Sequence, residues 1–282
     1  MSRVRYAVAL AALLALGGCG APVGGPAPEP TDRLTPVPVP TAPVDGGVAP
    51  GVTEAGVADA TALKNAHITR LRDGDFTLRR VRVERYANGS LRARTTLTAT
   101  YPGDGRYRIE RTFEGPDHAR LGTGGTTIQY GNPTGSVRLR RAPNGTVSDR
   151  SLGPPSSGAV TRTALLTAPF SGRRVLLMLR AADVDDVTPV EGRPAYRLAG
   201  SGVDDPAALR SLLSPSLVDD VDNVTVSAVV TSDGLVERLE FAYTAVLDGQ
   251  PVRVVRSLRY ETGNVTLTRP AWAGSGNGTT TS

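Results

Sequence analysis

The strictest constraint on this chain is an alternation of apolar and polar residues that starts near Asp75 and recurs as far as Tyr260. Successive side chains of an extended strand point to opposite faces, so alternation of period two specifies strands with one dry and one wet side. Leu91, Ala93, Leu97, Ala99 and Tyr101 share one face, while Arg92, Arg94, Thr96, Thr98 and Thr100 share the other. Tyr107, Ile109 and Phe113 resume the pattern after Pro102-Gly103-Asp104-Gly105. Towards the carboxyl end, Val224 to Val230, Leu235 to Ala245 and Val252 to Tyr260 repeat it. The junctions Asn88-Gly89, Ser232-Asp233-Gly234 and Asp248-Gly249 supply the positive φ that tight hairpins need. One stretch breaks parity: Phe76 and Leu78 are even, Val81 and Val83 odd, with Arg79-Arg80 between them, which predicts a β-bulge.

Three stretches change to helical periodicity. Asp59 to Arg72 opens on a capping Asp, carries Leu63, Ala66 and Leu71, and stops at Asp73-Gly74. Thr161 to Ala182 carries two apolar runs split by Pro169 and Gly172, and a third helix has Asp205 as cap, Pro206 in its first turn and Pro215 beyond its end. Strands and helices do not alternate as βαβ units. The expected fold is therefore mainly β (α+β): a curved antiparallel sheet, a half-barrel of about 8–11 strands, with a few helices on its concave face.

The two ends do not read as domain. Arg3 and Arg5 precede the apolar run Tyr6 to Leu16, which has the make-up of a signal peptide and is too short to span a bilayer permanently. The run ends in Leu16-Gly17-Gly18-Cys19, a lipobox pattern whose thiol, belonging to the chain's one cysteine, would take the diacylglyceryl group. Residues 1–18 are thus expected to leave as a signal peptide and 19–50 to form a lipidated Pro-rich tether. In polyproline II at about 3.1 Å per residue that tether would reach roughly 90 Å. Residues 51–270 would form a single β-rich domain and 271–282 a disordered tail. The expected location is the outer side of a cell membrane, held by lipid on Cys19.

Charge and motifs exclude more than they assign. Of 32 basic residues all but Lys64 are arginine, and they are spread along the strands without a run, which argues against a nucleic-acid surface. His67 and His118 are the two histidines. His67, beside Ala66 on the first helix, reads as a packed or surface residue; His118 follows Pro116-Asp117 in an expected loop, and neither accompanies a nucleophile elbow. Asp183/Asp185/Asp186 and Asp219/Asp220/Asp222 lack the glycine turn and distal glutamate of a calcium loop and read as solvated loops. Gly122-Thr123-Gly124-Gly125 lacks the lysine of a phosphate cradle. No catalytic residue, metal site or cofactor is therefore expected, and the chain is expected to be a monomer. Sequons lie at Asn88, Asn144, Asn223, Asn264 and Asn277; of these Asn88, Asn144 and Asn277 are expected to be accessible for N-glycosylation.

The lipobox, the Pro-rich spacer, the "ALKNAHITRL" helix, a long first hairpin and the closing "NVTLTRPAW" together resemble lipoproteins of haloarchaea. The layout is also similar to the half-barrels of lipoprotein-carrier proteins and of mycobacterial glycolipid-carrying lipoproteins. These resemblances imply a non-catalytic binding or carrier domain for a lipid or other apolar ligand. Phe76, Leu78, Leu97, Tyr107, Ile109, Leu176, Leu179, Phe241 and Tyr243 are the expected cavity lining. The alternative is a structural or interaction protein of the envelope whose arginine/threonine face touches glycans or a protein partner.

Overall fold

The structure is a computed structural model. It describes residues 47–72, 74–117, 124–153, 172–213 and 221–273. The chain divides into two units, Met1–Ala42 and Pro43–Ser282, and every described residue belongs to the second.

A small antiparallel sheet comes first, formed by β1 (Gly47–Ala49), β2 (Val52–Thr53) and β3 (Gly56–Val57). β1 thus falls within the segment read as tether. Helix α1 (Ala60–Arg72) follows, capped by Asp59, whose Oδ1 accepts from the backbone N–H groups of Thr61 and Ala62 at 2.8 and 3.0 Å. Six strands come next: β4 (Phe76–Tyr86), β5 (Leu91–Tyr101), β6 (Tyr107–Glu114), β7 (Gly125–Asn132), β8 (Gly135–Arg141) and β9 (Val147–Gly153). Helix α2 (Gly172–Ala181), β10 (Asp183–Pro189), β11 (Ala195–Ser201) and α3 (Pro206–Leu212) lead into the long strands β12 (Val221–Thr231), β13 (Val236–Leu247) and β14 (Gln250–Thr262). Asp205 caps α3 as the sequence predicts. Of the second expected helix, residues 161–171 lie outside the described residues.

The eleven long strands form one antiparallel sheet in the order β10-β11-β12-β13-β14-β4-β5-β6-β7-β8-β9. It is curved and open, with the helices on its concave, inner face. The last strand β14 closes against the first long strand β4, with eleven residues in unbroken register from Val252↔Tyr86 to Thr262↔Phe76. Pairing of the chain's late and early strands places the sheet's centre far from either edge. One edge strand, β10, carries Asp183, Asp185 and Asp186, all exposed, and a register shift between Val184 and Asp186. These acidic residues lie on a strand and not in a loop, where charge and irregular pairing oppose edge-to-edge association.

The predicted bulge at Arg79-Arg80 is absent. β4 pairs without interruption from Phe76↔Tyr101 to Glu84↔Ala93, and the shift comes only between Glu84 and Arg85. Parity is therefore kept through the strand: Phe76, Leu78, Arg80, Arg82 and Glu84 all face inward, while Val81 and Val83 face outward and are half-buried. The hairpins also differ from the simplest expectation. Asp248 and Gly249 both have positive φ (54° and 74°), as a two-residue turn requires. At 87–89, 143–145 and 232–234 the loop has three residues, with the glycine alone in the left-handed region and bonds such as Gly89 N–H to Tyr86 O at 2.8 Å.

The core lies between the inner face and the three helices. α2 packs against both α1 and α3. Leu63 and Leu71 of α1, Val175, Met178 and Leu179 of α2, and Leu209 and Leu212 of α3 meet Phe241, Tyr243, Val254 and Leu258 of the sheet. Burying each such side chain stabilises the fold by about 1.5–3 kcal/mol. A smaller cluster joins Tyr130 to Leu267 and Ala273, with Trp272 packed on it, and pins the chain's closing segment across β7.

At the far side of the sheet the space for side chains narrows. Gly131 stands directly opposite Tyr107, and a Cβ added there would lie 2.3 Å from the tyrosine ring. Tyr107 is fully buried and its hydroxyl accepts from Gln129 Nε2 at 3.1 Å, so the ring cannot simply turn away. Gly131→Ala is expected to cost about 1–3 kcal/mol in urea denaturation; an alanine variant of wild-type stability would show that the ring is not fixed over that strand.

Candidate functional site

The nine residues expected to line a ligand cavity are brought together mostly as core. Phe76, Leu78, Leu97, Tyr107, Leu179, Phe241 and Tyr243 are buried members of one apolar cluster, and Ile109 packs against it half-buried. Leu176 is half-buried on α2. Ring contacts fill the interior, with Phe76 stacked on Tyr101 at 5.8 Å and Phe241 tilted against Tyr243 at 5.9 Å. Leu179 borders a polar cleft of about 560 Å³ between the β3–α1 connection, the end of α2 and the start of β10.

A different cavity lies between α2 and the inner face. It has a volume of about 160 Å³ and is lined by Arg80, Arg82, Arg111, Arg174 and Arg256 together with Thr95, Phe113, Met178 and Leu258. Strand parity puts those arginines there. Arg80 and Arg82 continue the inward positions of Phe76 and Leu78 along β4. Arg111 stands opposite the inward Leu97, and Arg256 lies between Val254 and Leu258 on the inward face of β14. Arg174 comes from the first turn of α2.

Arg256 is the most enclosed, at 6% exposure. One terminal nitrogen donates to the carbonyl of Leu212 and the other to the hydroxyl of Tyr243, both at 3.1 Å, and the guanidinium carbon sits 5.7 Å from the centre of the Tyr243 ring. A carbonyl at the carboxyl end of α3 suits a cation. Arg82 pairs with Glu84 at 2.5 Å. The buried Nε atoms of both Arg82 and Arg256 meet no acceptor. Burial, then the nearby charges of Arg174, Arg111 and Arg256, holds Arg80 down at about 9. Burial followed by Arg256 and Arg82 holds Arg174 at about 10, so both stay cationic at neutral pH.

The other residues singled out from sequence fall elsewhere. His67 is buried in the core; His118 lies outside the described residues. Asn88 and Asn144 sit exposed at hairpin turns, where each side-chain oxygen accepts from the hydroxyl and backbone N–H of its own sequon's Ser90 or Thr146. Asn223 and Asn264 are exposed as well. Leu16, Gly17, Gly18, Cys19 and Asn277 lie outside the described residues. Among the described residues no helix is long and apolar enough to cross a membrane, and no three His, Cys, Asp or Glu side chains cluster closely enough to share a metal ion.

On the opposite, outer face, Arg79, Arg94, Arg197, Arg238, Arg259 and Glu240 border an open groove of about 680 Å³.

No protein-family model matches the chain, and no curated protein matches it. Solved structures with a similar layout include LprF from Mycobacterium bovis, at 10% identity over 75% of this chain and 96% of that one, with a TM-score of 0.35. A putative outer membrane lipoprotein-sorting protein domain from Vibrio parahaemolyticus is similar at 13% identity over 73% of this chain and 95% of the other, TM-score 0.22. A structure of lipovitellin describing lipid–protein interactions matches at 8% identity over 70% of this chain and 26% of its own, TM-score 0.28.

Proposed function

We propose that this domain is a non-catalytic binding or carrier module for a lipid or related amphiphile, held outside a cell membrane by lipid on Cys19. The observation that carries the reading is the cavity between α2 and the sheet, where Met178, Leu258 and Phe113 share the wall with five arginines. Ligand sites combine apolar walls with a few oriented polar groups. At about 160 Å³ the space is below the roughly 300 Å³ usual for whole small-molecule ligands. It suits the polar end of an amphiphile, with the chain continuing over apolar side chains outside. Nothing in the arrangement pairs a nucleophile with a base, so no bond-breaking step is assigned.

The full chain purified from its native membrane tests this. Organic-solvent extraction is expected to release a non-covalently held lipid, distinguishable by mass spectrometry from acyl groups that stay on Cys19. A chain that yields no lipid and takes up none offered in solution would overturn the reading.

A second reading is favoured by the outer groove, whose arginines with Glu240 offer a wide polar surface for glycans or a protein partner. Under it, crosslinking on intact cells would trap a partner through Arg238 or Arg259, and the domain would carry no lipid.

A further inference from the structure

We infer that the arginine cavity beneath α2 is a binding site for a multivalent oxyanion, a phosphate or sulfate group, presented as the head of the amphiphile. The assignment rests on the lipid-binding reading for the ligand's chain, and on the cavity itself for the anion.

Three observations converge on it. Arg82 and Arg256 are direct cross-strand partners on the inner face. Like charges directly opposite in a sheet destabilise it, and more so where water is scarce. The local relief is limited: Glu84 is one carboxylate shared between two cations, hydrogen-bonded to Arg92 at 3.0 Å through Oε2 and ion-paired with Arg82 through Oε1, which accepts no aligned hydrogen bond. Secondly, the Nε atoms of Arg82 and Arg256 are buried donors that meet no acceptor. Such groups are uncommon in proteins and cost free energy while unsatisfied. Thirdly, the guanidiniums approach from different directions, from β4, β6 and β14 on the floor and from α2 above.

Geometry chooses the class of anion. A guanidinium presents its donors as a planar fork that fits two oxygens of one anion. A carboxylate offers two oxygens in one plane, which satisfies one such fork. A tetrahedral phosphate or sulfate offers oxygens in several directions and can meet donors on the floor and on the helix at once. Arg256 is already fixed in orientation by Leu212 O and Tyr243, so little freedom is lost when an anion binds.

The test uses the full chain with Cys19→Ala, so that any lipid bound is ligand and not anchor. Calorimetry compares three probes: a short-chain phosphatidic acid, the diacylglycerol bearing the same chains, and inorganic phosphate. Phosphatidic acid is expected to bind at least about tenfold more tightly than the diacylglycerol. Arg256→Gln and, separately, Arg174→Gln should each weaken phosphatidic acid by roughly tenfold and leave the diacylglycerol unchanged. The second variant guards against loss of folding at the more buried site, and Arg238→Gln on the outer face should alter nothing. Equal binding of the two lipids, or a preference that survives both variants, overturns the oxyanion site while the lipid reading stands. Phosphate binding that is lost in both variants, with neither lipid bound more tightly than phosphate, upholds the oxyanion site and overturns the lipid reading. Binding of none of the probes overturns both.

Discussion

Replacing Arg92 by methionine is expected to destabilise the domain by about 3–5 kcal/mol at neutral pH, because it leaves Glu84 buried beside its remaining partner alone. Arg92 donates to Glu84 Oε2 at 3.0 Å, to Asp117 Oδ2 at 3.0 Å and to Asp248 Oδ2 at 2.7 Å. Its side chain and that of Glu84 are each 4% exposed, whereas Asp117 and Asp248 are 36% and 51% exposed. The two rim carboxylates are well solvated, and such pairs contribute little. The buried pair is different, since a desolvated carboxylate that loses one of its two cations and its hydrogen bond has no water to replace them. The three bonds also tie β5 to the loop after β6 and to the tip of the β13–β14 hairpin, so the loss should be felt across the sheet. A fall in melting temperature on the order of 10 °C is expected. Arg92→Met combined with Glu84→Gln should recover part of that loss, since the double variant removes both charges. If Arg92→Met costs less than about 1 kcal/mol, the network behaves as a surface cluster.

Much of this architecture can be read from residue order. Alternation in 91–101 and in 224–260 locates long strands, because only an extended chain gives side chains a period of two. The capping residues Asp59 and Asp205 locate helix starts to the residue, since each supplies an acceptor for N–H groups that the helix leaves unpaired. The curved antiparallel sheet with helices on its inner face follows from those two patterns.

The site was hidden by a reasonable inference about Arg79-Arg80. Two adjacent arginines between apolar residues of opposite parity suggest a break, because an arginine facing a core is unfavourable. In the folded chain parity simply continues, and Arg80 and Arg82 face inward because a cavity receives them. A signal was present in the sequence. Arg111 interrupts Tyr107-Ile109-Phe113 on its inward side, and Arg256 interrupts Val254-Leu258 in the same way. An arginine at an inward position on three strands points to a shared polar interior, but only if β14 lies next to β4 and β6 lies two strands along. That neighbourhood is a property of the topology. It joins residues 252–262 to 76–86 across most of the chain, and no local pattern announces it. The aromatic residues expected around a cavity instead fill the core, since large side chains with apolar neighbours on every side pack more favourably than they line a space.

Acid is expected to unfold this protein through His67. The residue sits on α1 with no exposure, its Nδ1 accepts the backbone N–H of Val236 at 3.2 Å, and its ring stands edge-on to Tyr260 at 4.6 Å. An Nδ1 that accepts a hydrogen bond carries no proton, so the native ring is neutral with hydrogen on Nε2. Protonation would place a charge in a dry core and turn that acceptor into a donor facing another donor. Burial accordingly pushes His67 down from 6.5 to about 3. Between those values the unfolded chain binds a proton that the folded chain refuses, so stability rises with pH across the window and is complete above about 6.5. On acidification the fold should lose about 1.4 kcal/mol per pH unit below about 6, continuing towards pH 3. Hydrogen bonds from Arg106 and from the α3 backbone hold the carboxyls of Asp104 and Asp205 below the usual carboxylate range, so the stability they contribute is likewise lost as the pH falls. His67→Gln separates the contributions, since glutamine cannot titrate. Urea denaturation of both proteins from pH 7 to 4 should show a wild-type stability that falls more steeply than the variant's. The variant should be the less stable of the two at pH 7, where it gives up the fitted ring, and should gain on the wild type as the pH drops. Parallel curves would mean that the histidine reaches water in the folded state, and that the junction of α1 with β13 is open where the structure closes it.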